Sequence, residues 1–390
     1  MQNKFIYFDH ASTSPLSKNV LNAINYASIN YWGNVSSKYK FGIDCSFQLE
    51  KIRTEIAHKF NTKSEHIIFT SGSSESISLV FNKLSDKYKN GELLISKVEH
   101  NATLISANIL RNRGWKINEL EVDNDGLIKV NKIINYLSEN LKLISVIWGQ
   151  SEIGTIQPIK EVGRICLNRN TFVHIDATQV ITNGLFDWNE LNCDLLSFSA
   201  HKFGGPKGIG ILLFNEKSRD LIINPDISQS HEYSIRPGTQ SIPLISGLNT
   251  ALTNIKQRID FSGEKAIFES SKAKEIRDYL LELFKKNDHI KITGSITQRL
   301  PNHLSFILLN KSFKPIKAHH IVSYMSDNNI AISNGSACSN SKKTYSSALE
   351  NMGYNTDFSQ SNIRVSFNNE NTLEEVDKFN NLIIKYINIY

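Results

Sequence analysis

Leu195-Leu196-Ser197-Phe198-Ser199-Ala200-His201-Lys202-Phe203-Gly204-Gly205-Pro206-Lys207-Gly208 is the stretch on which the reading of this chain turns. An apolar run of strand character passes into small and hydroxyl residues, then delivers His201-Lys202 to the mouth of a Gly/Pro-rich turn. A lysine there stands where a sheet ends and a pocket can open, the place for an amine that condenses with a carbonyl. An isolated lysine in a turn is ordinarily a surface residue. Its meaning depends on what stands at the ends of the other strands.

Working outward, similar apolar runs occur at 66–70, 92–97, 116–122, 141–148, 172–176 and 209–215, with helical patterns such as 74–88 and 101–113 between several of them. This alternation predicts a mostly parallel seven-stranded sheet with helices on both faces. Upstream, an extended lead ending in Ala11-Ser12-Thr13-Ser14-Pro15 precedes helices predicted over 16–29 and 47–60. Past about residue 255 the pattern becomes a helix over 264–286, strands at 304–309, 330–333 and 363–367, and a closing helix over 373–387. We therefore expect a large domain over 16–255 and a smaller α+β domain built from 1–15 and 256–390.

A chain of 390 residues has ample apolar content for two cores. Its net charge of +6 is spread along the whole length, with no basic arm and no basic-aromatic tract, so direct nucleic-acid binding is not expected. The apolar run in Met1–Asp9 is too short for a signal peptide and no later run reaches membrane-spanning length, so a cytoplasmic protein is expected. Four cysteines, Cys45, Cys166, Cys193 and Cys338, lack Cys-x-x-Cys spacing, and no His/Cys/carboxylate set has metal-ligand spacing.

In doubly wound sheets, ligands sit beyond the carboxyl ends of the strands. After 66–70 comes Ser71-Gly72-Ser73-Ser74-Glu75-Ser76, a small-residue turn opening a helix, suited to a phosphate or simply to capping. After 92–98 comes Glu99-His100, whose imidazole can stack on a planar ring or serve only the core. After 172–175 come Asp176 and Gln179; a carboxylate at that place can pair with a pyridinium N–H, or cap the next helix. Ser199, His201 and Lys202 end the series. Phosphate cup, stacking ring, pyridinium partner and lysine, in that order, are the parts of a pyridoxal-phosphate site.

At this point the chain resembles the fold-type I pyridoxal-phosphate enzymes of the class-V aminotransferase family, and within them the cysteine desulfurases of the NifS/IscS kind. The resemblance is carried by Tyr7-Phe8-Asp9-His10-Ala11 with Pro15, Gly33-Asn34, Phe69-Thr70-Ser71-Gly72 with Glu75-Ser76, and Glu99-His100. It continues through Glu152-Ile153-Gly154, Val173-His174-Ile175-Asp176-Ala177-Thr178-Gln179, Ser197–Lys202, Gly205-Pro206-Lys207-Gly208-Ile209-Gly210, Arg236-Pro237-Gly238-Thr239, Gly335-Ser336-Ala337-Cys338 and Ile363-Arg364-Val365-Ser366. These span nearly the whole chain in the family's order.

The resemblance implies that Lys202 holds pyridoxal 5'-phosphate covalently and shuttles the Cα proton, and that His100 is catalytic too, stacking on the ring and transferring protons. It implies that Asp176 binds the ring nitrogen and Gln179 the phenolic oxygen, and that Ser73, Ser74, Ser199 and His201 hold the phosphate, with Thr239 given to the partner subunit of a homodimer. Arg364, helped by Asn34, would clamp the carboxylate of L-cysteine. Cys338, in the polar segment Ser333–Lys343 near two lysines, would take the sulfur as a persulfide. Its loop, about 332–344, resembles the longer mobile loop of the branch that passes sulfur to a protein acceptor. The destination is iron-sulfur assembly or tRNA, DNA or metabolite thiolation, with a transient iron-sulfur contact at Cys338 as one form of delivery. Cys45, Cys166 and Cys193 have structural surroundings. The chain departs from the family at Gln150-Ser151-Glu152, where Asn-Asn-Glu is usual, so Ser151 stands for an asparagine that meets the phenolic oxygen and the substrate. A selenocysteine lyase or another lyase on the same scaffold, and a weakly catalytic sulfur-relay scaffold, are the alternative readings.

Overall fold

The computed structural model describes residues 5–223, 231–335 and 347–389. Cys338 and most of its loop lie outside them.

All seven expected strands form one sheet. Its order is Ile67–Thr70, Gly210–Phe214, Leu195–Ser199, Phe172–Asp176, Leu141–Ile147, Glu92–Ser96, Lys116–Leu120. Gly210–Phe214 runs antiparallel to both of its neighbours, and every other pairing is parallel. Five-residue strands such as Leu195–Ser199 and Phe172–Asp176 are buried throughout, which is why they read as continuous apolar runs without alternation. One core fills one face, with Ile144, Trp148, Ile175 and Phe198. A second fills the other, where the Ser73–Lys87 helix presents Ile77, Val80, Phe81 and Leu84 at helical spacing. Each fully buried side chain of this size contributes roughly 1.5–3 kcal/mol against exposure.

Elsewhere the structure corrects the sequence reading. The helix expected over 264–286 is instead a hairpin, Arg258–Ser262 with Lys265–Phe268, followed by a helix over Lys272–Phe284. Gly263, at φ 60°, makes the turn, and the alternating burial of Arg258–Ser262 is a strand period that the following helical pattern obscured. The second helix starts at Lys40, seven residues before its expected start, because Gly42 interrupts the apolar rhythm of its first turn. The short strand Ile290–Ile292 and the helix Ala318–Asp327 were not anticipated.

The N-terminal lead has a specific place. Ile6–Tyr7 pairs in parallel with Ile330–Ala331, and Phe8 packs edge-on against Phe367 and Phe379 in a third core. This anchorage aims residues 9–14 at the carboxyl ends of the central strands. Among the described residues no helix is long and apolar enough to cross a membrane.

Candidate active site

Two groups of side chains meet at the strand ends. The first lies where Ile67–Thr70, Phe172–Asp176 and Leu195–Ser199 finish. The Ser73 N–H, at the start of its helix, donates to Ser199 Oγ at 2.7 Å. Ser73 Oγ lies 3.3 Å from Asp176 Oδ1 and 3.2 Å from Ser197 Oγ. Behind them His174, fully buried, bridges Ser197 and Ser145 at 3.0 and 2.8 Å; burial holds its imidazole down at about 4, hence neutral. Asp176 is 3% exposed and accepts from the Thr178 N–H at 3.0 Å. Among the described residues it has no ion-pair partner, and a buried carboxylate without one is costly. That deficit suits a pyridinium N–H. Helix N-terminal amides beside the Ser73, Ser74 and Ser199 hydroxyls suit a phosphate. The donor set therefore fits pyridoxal phosphate.

Glu99 adds a group that the sequence reading did not single out. Burial raises its carboxyl to about 8, with the Asp176 charge adding to the effect. Its Oε1 accepts from Ser96 Oγ at 2.6 Å and from the Ile147 N–H at 2.7 Å; these bonds favour the charged form, but burial outweighs them and leaves a neutral acid beside Asp176. A carboxyl at the end of a buried strand was the available signal.

The second group surrounds the N-terminal lead. Lys202 Nζ donates to the carbonyls of Ala11 and Ser12, both at 2.8 Å. Gln179 Nε2 reaches the same Ala11 carbonyl at 2.9 Å. Arg364, 3% exposed, donates through Nη2 to Asp9 Oδ1 and Ser12 Oγ, both at 2.7 Å, and through Nη1 to the Ser151 carbonyl at 3.0 Å. Among the described residues its buried Nε has no partner, leaving a donor for an anion. The lead, read from sequence only as an extended approach, thus ties Lys202, Gln179 and Arg364 together. Asp9, the one acidic residue of that lead, was the available hint.

The remaining expected residues take more local places. His201 is half-buried, its Nδ1 3.2 Å from Thr13 Oγ1, and burial, then the charges of Lys202 and Lys207, lower it to about 4. His100 accepts the Ala102 N–H at 3.2 Å and so caps its helix. Ser74 is exposed. Asn34 is also exposed, and its Oδ1 accepts from Ser36 N within its own turn. Thr239 is exposed, three residues after Arg236, which pairs with Glu75 at 2.7 Å while Glu75 accepts from the Ser71 N–H. Burial pushes the Glu75 carboxyl up, but the bonds from Ser71 and Arg236 outweigh it and leave it below its usual value. Cys45, Cys166 and Cys193 are buried free thiols; burial raises Cys166 to about 11 and Cys193 well above its usual value. Glu65, His66 and Glu216 gather within 4.8 Å, but both carboxylates are already paired with Arg219 and Lys63.

A family model for class-V aminotransferases matches residues 6–379. The chain belongs to that family. Within it, the chain stands among the IscS/NifS-like cysteine desulfurases, enzymes that depend on pyridoxal phosphate. It is 33% identical over 382 residues to a cysteine desulfurase IscS of Dictyoglomus turgidum, covering 95% of this chain and 92% of the relative. The solved structure of a NifS-like protein superposes with a TM-score of 0.84 at 28% identity, over 99% of this chain and 100% of the other. A structure of SspA in complex with cysteine matches at 0.79 and 25% identity, over 94% and 100%. The fold-type I architecture expected from the sequence is thus the family's own.

Proposed function

We propose that the chain takes L-cysteine as substrate, releases L-alanine, and carries the sulfur as a persulfide on Cys338. In the net change the Cβ–S bond of L-cysteine breaks, an S–S bond forms at Cys338, and Cβ gains a proton. The observation that supports this most directly is the shared Ala11–Ser12 segment, met by Lys202 at its main-chain carbonyls and by Arg364 at Ser12 Oγ. It brings an amine, Lys202, within reach of the same short segment as a carboxylate-binding guanidinium, Arg364. That spacing suits an α-amino acid.

Lys202, Ser73, Ser74, His100, Ser151, Asp176, Gln179, Ser199 and His201 would hold pyridoxal 5'-phosphate. When bound, the cofactor supplies an electron sink for the Cα carbanion. Asp176 keeps the sink protonated, which its burial and unpaired charge favour. Arg364 binds the substrate carboxylate through its unused Nε–H and orients Cα toward Lys202, helped by Asn34. The Lys202 amine accepts and returns the proton, displaced from the Ala11 and Ser12 carbonyls as it does so. The Cys338 thiolate is the sulfur acceptor.

We further infer a homodimer, with Thr239 completing the partner's phosphate site. Leu21, Tyr26, Ile29, Trp32, Ile43 and Phe47 are all exposed on the first two helices and their connection, with Trp32 and Phe47 above 70%, an apolar surface suited to burial against a second copy. The domain division at about residue 255, a cytoplasmic setting and delivery to a protein acceptor complete this reading.

The test is to incubate the holoenzyme with L-cysteine and a thiol reductant, measuring sulfide and alanine together in wild type and Cys338→Ala. Equal amounts of both products, lost in the variant, are expected. Alanine production undiminished in Cys338→Ala favours a lyase of the selenocysteine type, and no alanine from cofactor-loaded wild type overturns the reading.

A further inference from the structure

Behind Arg364 lie buried basic side chains that the proposed cycle leaves unused. His303 opens the strand His303–Leu308 and is 1% exposed. Its Nε2 lies 3.1 Å from the Ser151 carbonyl, the same oxygen that accepts from Arg364 Nη1 at 3.0 Å. A carbonyl has two lone pairs and no proton, so His303 must carry its hydrogen on Nε2. In the neutral ring Nδ1 is then an acceptor, and among the described residues it has no partner. A complementary donor stands beside it: Arg299 Nη1 is likewise buried and, among the described residues, unpartnered. A Cβ built on Gly154 would fall 2.4 Å from His303 Nδ1 and 3.0 Å from Arg299 Nη1, so both atoms crowd one point that only glycine leaves open.

Arg299 is fixed by the carbonyls of Ser295 and Thr293 and has no ion-pair partner among the described residues. Burial, then the charges of Arg299 and Arg364, keeps His303 well below its usual value and therefore neutral. These groups form an ordered series: a cation, a neutral imidazole of fixed tautomer, one main-chain oxygen, and the guanidinium of Arg364.

We propose that His303 is a positioning residue for the amino-acid carboxylate. By sharing the Ser151 carbonyl with Arg364 it sets where that oxygen lies, and through it the plane in which Arg364 presents its remaining donors. The charge of Arg299 beside the ring disfavours protonation of the imidazole and so keeps it the neutral donor at Nε2. The inference rests on Arg364 being the carboxylate clamp.

The experiment compares His303→Leu, His303→Gln, His303→Asn and Arg364→Lys as full-length holoenzymes, reading KM and kcat for L-cysteine, bound-cofactor absorbance and thermal melting. Losing one neutral donor at a carbonyl shared with a charged group should raise KM about tenfold in His303→Leu with kcat changed less than about twofold. Glutamine, whose amide reaches as far as Nε2, should restore KM; asparagine, one bond shorter, should not, and that pair decides the matter if the leucine variant does not fold. Cofactor absorbance should be unchanged in all four. An Arg364→Lys that raises KM beside a His303→Leu that does not overturns the positioning role alone. An unchanged KM in Arg364→Lys overturns the clamp itself. Equal KM increases in the glutamine and asparagine variants, tracking lower melting temperatures, make His303 merely structural and overturn the proposal.

Discussion

The two halves of the site are built on different principles. The half proposed to hold the cofactor is assembled from strand-turn units of one sheet, Thr70–Ser73, Asp176–Gln179 and Ser199–Lys202, and is lined by hydroxyls, amides and neutral imidazoles around one uncompensated carboxylate, Asp176. The carboxylate half is assembled from far ends of the chain. Arg364 meets Asp9 and Ser12 across 355 and 352 positions, and Ser151 across 213. It is cationic and contains its own competing carboxylate, Asp9. A parallel sheet collects the first kind of site automatically, because every strand delivers its carboxyl end to one edge. The second kind depends on the N-terminal lead being pinned by Ile6–Tyr7 and Phe8 to the core around Phe367 and Phe379.

The largest effect that separates the halves should come from Lys202→Ala. General acid–base work of this sort is worth about 10²- to 10⁴-fold, so alanine formation should fall by at least that much, measured under single-turnover conditions with added cofactor. Because the bonds of the lysine amine to the lead run to main-chain carbonyls, which its loss leaves in place, melting temperature should change little. A variant that keeps a tenth of wild-type turnover would remove Lys202 from the chemistry.

Next is Asp176→Asn. A hydrogen bond to a charged group contributes about 1.5–3 kcal/mol, so cofactor affinity should drop roughly ten- to a hundredfold, read by titrating apo-protein and following fluorescence quenching. Carboxylate binding, probed with L-alanine as a product inhibitor, should change much less. Parallel losses in both would show that the halves are not separable.

Glu99 sharpens the contrast through pH. Its carboxyl is raised to about 8 in the folded chain, against about 4.3 when unfolded, so the folded state holds an extra proton between those values. Stability from this group is complete below the unfolded value and is lost as pH rises through about 8. Glu99→Gln, which mimics the neutral acid, should remove that slope and gain on wild type in urea denaturation at pH 8.5 relative to pH 5. Parallel midpoints at the two pH values would mean that Glu99 is ionised beside Asp176.

The same division explains what could be read from sequence. Each strand of the central sheet was legible because both faces are buried and the residues are continuously apolar, and Ser73, Asp176, Gln179, Ser199 and Lys202 followed from standing just past those runs. His303 was invisible: in Leu300-Pro301-Asn302-His303-Leu304 it reads as one more strand residue, and only the tertiary approach of Ser151 and Arg299 gives it partners. Asp9 and Ser12 were quoted for their resemblance and their surroundings, but their pairing with Arg364 is a contact that no local pattern encodes. The 258–268 hairpin was missed for a local reason, since its strands are short and lead straight into a strong helical period.

Ser151 lies on the seam between the halves, and the smallest predicted effect belongs there. The family's asparagine is absent at this position, yet the contacts that Ser151 makes to Arg364 and His303 run through its main-chain carbonyl, which any residue supplies. Ser151→Asn therefore leaves the carboxylate clamp in place. KM for L-cysteine should stay within about twofold, while the amide, a longer donor than the serine hydroxyl, should alter kcat by up to about tenfold. Steady-state kinetics with L-cysteine separate the two. A change confined to KM would assign the side chain at 151 to the carboxylate half, and would mean that serine was retained here for substrate recognition, with cofactor tuning supplied by Gln179 and Asp176 alone.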